Sequence, residues 1–158
     1  MKHLLRYSSA LLLLWGAVAR AGCEPAPVRL TDHTPQELQT RSEMFVKLCT
    51  EESTILIDSA DTRLGKDFKR GGAGKPNDRN VEKRLISAST RVKGGAVVIY
   101  RVIGTDGTTE TVGIISSSGD NTFDDAAIAF FRSLVHKPAL LNGEPVRVFY
   151  SVRMKVAK

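Results

Sequence analysis

The hydrophobic positions of this chain change period several times, and each change marks an element. Residues 7–19 are one apolar, leucine-rich run of 13 positions. That is short of the roughly 20 residues a helix needs to cross a bilayer. Residues 24–33 follow without periodicity, broken by Pro25 and Pro27. Thr34-Pro35-Gln36-Glu37 then starts a helix. The threonine hydroxyl caps free amides, proline suits the first helical position, and the glutamate three residues on completes a capping box. Leu38, Phe45, Leu48 and Cys49 fall on one face, so the pattern predicts a helix over 35–49. A short β-leaning run at 53–57 precedes a loop over 62–77, centred on Gly71-Gly72-Ala73-Gly74. Asp78 or Asn80 is placed to cap a second helix reaching about Ser89, with Val81, Leu85 and Ala88 inward.

From residue 94 the alternation sharpens. Residues 96–103 are β-branched and apolar, Thr105-Asp106-Gly107-Thr108 is a hairpin turn, and 109–116 returns as the partner strand. Ser117-Ser118-Gly119-Asp120 leads into a helix whose Phe123, Ala126, Ala127, Phe130, Phe131 and Leu134 make one apolar stripe. Asp124 and Asp125 suit its N-terminus, Arg132, His136 and Lys137 its C-terminus, and Pro138 stops it. After Asn142-Gly143 comes the most regular strand in the chain. Val146, Val148, Tyr150, Val152, Met154 and Val156 alternate with Arg147, Phe149, Ser151, Arg153 and Lys155, which predicts one buried and one wet face.

The order β-β-α-β predicts an α+β fold. A right-handed crossover after the hairpin places the third strand beside the first, giving a three-stranded antiparallel sheet of order 2-1-3 with a helix on one face. The last strand is then an edge, with one row of amides and carbonyls unpaired. The chain divides into a leader (1–21), a helical segment with a basic, glycine-containing linker (22–93), and the α+β domain (94–158).

Charge and cysteines refine this picture. Lys2, His3 and Arg6 precede the first apolar run, and Ala19-Arg20-Ala21 has the small-x-small form of a signal-peptide cleavage site. The reading is an exported, periplasmic protein cleaved after Ala21. The alternatives are an uncleaved inner-membrane anchor and a lipoprotein, because Ala21-Gly22-Cys23 also has the small residues that precede a lipidated cysteine. Contact with a membrane follows only from those two alternatives. The other use of Cys23 is a disulfide with Cys49, which an oxidising compartment permits and which is the favoured pairing. Residues 63–93 hold ten Lys and Arg against Asp67, Asp78 and Glu82. Phe68 is the one aromatic among them and the chain is read as exported, so nucleic acid is not the expected partner; the plain reading is a solvated linker and helix face.

No chemistry-bearing constellation emerges. His33 and His136 have no neighbours at metal-ligand spacing, so no metal site is expected. Ser116-Ser117-Ser118 lacks the glycines of a nucleophile elbow. Gly71 to Lys75 has the wrong spacing for a phosphate loop, and Pro76 follows the lysine where Ser or Thr belongs. Arg147 and Arg153 are candidates for an anionic group, although charges on an edge strand more often deter aggregation. No catalytic residue and no cofactor are assigned; the protein is not expected to be an enzyme.

Gly95-Ala96-Val97, Asp106-Gly107, Ser117-Ser118-Gly119, Phe123-Asp124-Asp125-Ala126-Ala127, Pro138-Ala139, Asn142-Gly143 and Pro145-Val146 together resemble the TonB C-terminal domain in order and spacing. The likeness covers about 94–156. It implies a module that works by binding protein. Such proteins couple the inner-membrane proton gradient to outer-membrane transporters, and their last strand adds an extended receptor segment to the sheet. Carried over, that role falls on Val146 through Val156, with a TonB-dependent outer-membrane receptor as the implied partner. The proline-rich tether and the membrane histidine of such transducers have no counterpart in this sequence. The second reading is therefore an envelope adaptor that uses the same fold for an unrelated partner.

Overall fold

The computed structural model of the chain describes residues 23, 27–28, 30–51 and 55–156. The leader assigned to 1–21, its cleavage site, and positions 53–54 of the β-leaning run lie outside the described residues. Among those described, no helix is long and apolar enough to cross a membrane.

In chain order the elements are α1 (Pro35–Glu51), β1 (Leu56–Asp58), β2 (Phe68–Lys69), β3 (Lys75–Pro76), α2 (Arg79–Ser89), β4 (Gly95–Ile103), β5 (Thr109–Ser116), α3 (Asn121–Arg132), β6 (Leu134–Val135), β7 (Ala139–Leu141) and β8 (Glu144–Val156). The capping box of α1 closes in both directions: the Thr34 amide donates to Glu37 Oε2 and the Glu37 amide to Thr34 Oγ1. Asp78 caps α2 through the Asn80 amide, and Asp120 caps α3 through the Phe123 amide.

The fold is α+β, but the sheet is larger than the predicted three strands. Its order is β2-β7-β8-β4-β5, with β1 as a sixth strand on β8. The long antiparallel pairs are β4 with β5 and β4 with β8 over Gly95↔Val156 to Ile103↔Val148. Both Ile103 and Ile57 pair with Val148, so β4 and β1 flank β8 on opposite sides. The expectation that the last strand lies on an edge is therefore corrected: β1 runs parallel to β8 over Arg147–Phe149, which makes β8 internal at Val148 and Phe149, and its start pairs with β7. The β-leaning run expected at 53–57 overlaps β1 at Leu56 and Ile57, but a run so short carries no signal of which strand it joins.

The expected wet face is corrected as well. Both faces of the sheet are covered. On one, Val97 and Ile99 pack with Phe123, Ala127, Phe131 and Leu134, and Val152, Met154 and Val156 lie against the same cluster. On the other, α1 brings Phe45 and Cys49 onto Leu56, Val102 and Phe149. Phe149, predicted to face water, is completely buried between the Phe45 and Tyr100 rings. The face of α1 that does this is Glu37, Arg41, Phe45 and Cys49, at a spacing of four and half polar. An apolar-stripe reading passes over such a face and selects the half-buried Leu38 and Leu48 instead.

Two more corrections concern loops. Residues 62–77 are not structureless: they contain a 3-10 turn (Gly65–Asp67), β2 and β3, and β3 pairs with β6. Helix α3 ends at Arg132, with the Ser133 amide closing its last turn, so His136 and Lys137 are not helix-terminal cations. Leu134 leaves the helix yet stays buried as the first residue of β6.

Candidate functional site

The predicted partner-binding strand, β8, can be phased from one bond. The Ser59 amide donates to the Phe149 carbonyl, so odd-numbered residues of β8 aim their backbone groups away from β4 and even-numbered residues aim theirs toward it. β1 satisfies that outer row only as far as Phe149. Beyond it, among the described residues, no strand pairs with the outer amides and carbonyls of Ser151, Arg153 and Lys155. The open stretch is thus the second half of the predicted strand, and it directly continues the track that β1 occupies.

Side chains hold this half of β8 in place. Ser151 Oγ accepts from Arg41 Nε at 2.8 Å, and Arg153 Nη1 lies 2.6 Å from both Glu37 carboxylate oxygens. Arg41 also forks onto Asp58, with Nη1 donating to Oδ2 over 2.7 Å. Burial pushes the Glu37 carboxyl up, but the Thr34 amide and the Arg153 guanidinium outweigh it and the net shift is down. Arg147 is bonded to Glu110 through Nε at 2.8 Å. The two arginines considered as wet-face anion binders are therefore both engaged with carboxylates. Helix α1 and β1 form a clamp on the strand, and Cys23 is bonded to Cys49, tying the lead-in to that clamp.

On the opposite face Tyr150 points into a pocket of about 220 Å³. Arg101 of β4 lines it, together with Arg70, Lys137, His136 and the backbone of Gly71 through Gly74. Burial depresses the Arg101 pKa, with the Tyr150 hydroxyl acting in the opposite sense. Its guanidinium stacks 5.0 Å from the Phe131 ring centroid and 5.7 Å from that of Tyr150. His136 Nδ1 lies 3.2 Å from the Gly72 carbonyl, which can only accept, so Nδ1 carries the proton. Nε2 is then the acceptor for Arg101 Nη1 at 3.2 Å. Sequence reasoning missed Arg101. The available signal was a charge at an inward position of an apolar strand, between Ile99 and Ile103 on the same face.

Comparison with known proteins identifies the domain. Residues 87–155 match the family described as Gram-negative bacterial TonB protein C-terminal. This segment is a TonB C-terminal domain. It begins within α2 and runs through β8, so α1 and β1, the elements that clamp the last strand, lie upstream of the TonB-type segment. The family motifs have visible work in it: Asp124 is buried and accepts from the hydroxyls of Ser117 and Ser118 at 2.5 and 2.6 Å, locking the approach to α3. No curated protein and no solved structure matches the chain.

Proposed function

We propose that this protein is a periplasmic TonB-like protein that binds an outer-membrane receptor, or another envelope partner, by adding a partner strand to β8 in support of TonB-dependent transport. The observation that carries the reading is β1 itself. An extended segment already pairs in parallel with Arg147–Phe149, and the outer row beyond it continues open at Ser151, Arg153 and Lys155. A partner strand extends that track or replaces β1 on it; backbone bonds supply affinity and the flanking side chains supply selectivity. The Cys23–Cys49 disulfide supports an oxidising compartment, and it occupies the sulfur that lipidation would need.

A second reading is an adaptor that does not transduce energy. The clamp favours it, because α1 and β1 restrict how much of β8 an incoming strand can reach.

Proline substitution tests the reading, since proline removes one N–H and edge positions tolerate it. Arg153→Pro deletes an outer amide, and Arg153→Ala controls for loss of the Glu37 contact. Lys155→Pro and Lys155→Ala form a second pair with little side-chain involvement. Val152→Pro breaks the ladder to β4 and is expected to unfold the domain. With folding followed by circular dichroism and binding by pull-down on solubilised outer membranes, the folded outer-phase proline variants lose the partner that the alanine variants keep. Folded Arg153→Pro and Lys155→Pro proteins that bind like wild type would exclude strand addition on β8.

A further inference from the structure

The pocket beside Tyr150 has an unusual charge balance. Three cations, Arg70, Arg101 and Lys137, contribute to its wall, and no acidic side chain does. Arg101 is the telling member. Among the described residues no carboxylate lies within ion-pair distance of it, and its Nε is buried without a hydrogen-bond partner. By contrast Arg41, Arg147 and Arg153 all meet an acid. Even a partly buried guanidinium is costly to hold without a counter-charge. The Phe131 and Tyr150 rings and a neutral histidine nitrogen satisfy part of this cation but do not cancel its charge.

The glycine loop fits the same purpose. A Cβ on Gly71 would collide with the Lys137 carbonyl, and one on Gly74 with the His136 ring. Only a chain without side chains at these points can lie against the His136–Lys137 segment and leave the pocket open. The Lys137 stem runs beside Gly72. The volume, about 220 Å³, falls below the roughly 300–1,000 Å³ of drug-sized sites. It therefore selects for a compact ligand.

We propose that this pocket is a binding site for a small oxyanion, a phosphate or carboxylate group on a low-molecular-weight ligand, held by Arg101 at its base and by Lys137 and Arg70 at its rim. The planar guanidinium favours two oxygens over a spherical halide. The site lies on the α3 side of the sheet, opposite the clamp, and its Arg70 also donates to the Ser59 carbonyl just after β1. Binding places a negative charge beside His136 and supplies the counter-charge that Arg101 lacks.

The test is titration of the whole mature protein with inorganic phosphate and, separately, with succinate. Ionic strength is held constant with chloride, and calorimetry, thermal unfolding and the amide resonances of Gly72 and Gly74 are followed. At least one of the two anions is expected to give saturable heat, a saturable rise in Tm and saturable shifts of those amides. A response to phosphate alone assigns a phosphoryl ligand, to succinate alone a carboxylate, and to both a general oxyanion site. Lys137→Ala, at an exposed position, should weaken binding severalfold while leaving the Tm in chloride unchanged, and Arg101→Gln should abolish it. If Arg101→Gln does not fold, Lys137→Ala and Arg70→Ala decide the matter. General exclusion of phosphate from protein surfaces raises Tm without saturating and is indifferent to these substitutions. The absence of any saturable response in the wild type overturns the proposal, as does unchanged affinity in the folded variants.

Discussion

Arg41 of α1 and Asp58 of β1 form a two-pronged ion pair with both side chains out of water, and this pair holds the short parallel strand against β8. The Arg41 side chain is 2% exposed and that of Asp58 3%, so neither partner can fall back on solvent if the other is removed. Arg41 also lies over the Phe149 ring, 5.0 Å from its centroid, and bonds Ser151. One side chain thus links the helix, the added strand and the strand it adds to.

Breaking this pair from one side should be far worse than replacing it. Arg41→Ala leaves a buried carboxylate alone and should cost about 3–5 kcal/mol. Arg41→Met combined with Asp58→Leu should come out much closer to wild type, since the charges disappear together. Urea unfolding with a shared m-value checks both, and a double variant as unstable as the single one would show that the pair's geometry, not its burial, is what matters.

Cys23 and Cys49 are 26 residues apart, and their bond restrains the unfolded chain across that loop. Reduction, or replacing both with serine, should lower stability by roughly 2–4 kcal/mol. Thiol titration under denaturing, non-reducing conditions should find no free thiols in the native protein.

The second core predicts a contrast between two apolar residues. Phe149 is fully buried against Phe45 and Tyr100, and Phe149→Ala should cost about 3–5 kcal/mol through the cavity it leaves. Ile55, one residue before β1, is 80% exposed, and Ile55→Ala should fall within about 0.5 kcal/mol of wild type. Equal effects would mean that α1 does not cover this face in solution.

His136 gives a pH signature of known sign. Burial and then the Arg101 charge hold its pKa below the ordinary 6.5, with the Gly72 carbonyl pulling the other way. Arg70, Lys137 and Tyr150 share its pocket. The unfolded chain therefore takes up the histidine proton first as pH falls. Stability from this group is complete well above 6.5 and declines as pH drops below it, until the folded pKa is reached. Glu37, whose folded pKa is also depressed, adds its own loss at lower pH. His136→Asn should flatten the decline between pH 7 and 5, as read from unfolding midpoints at each pH.

The sequence by itself determined the elements that carry their own signal. The capping box at Thr34 and Glu37, the α3 stripe and the long alternation of β8 depend on contacts within a few residues of each other. So do the motifs that mark the TonB-type segment. Tertiary structure decided what lies beside and above those elements. Three residues at 56–58 become a strand only because β8 offers them a ladder and Arg41 a counter-ion for Asp58. Phe149 is buried only because α1 arrives from more than a hundred residues earlier to cover it. A polar residue in a local pattern reads as facing water, and Arg41, Glu37 and Arg101 face inward because distant partners satisfy or enclose them. Such partners are brought together by the sheet, across separations over which local periodicity carries no information.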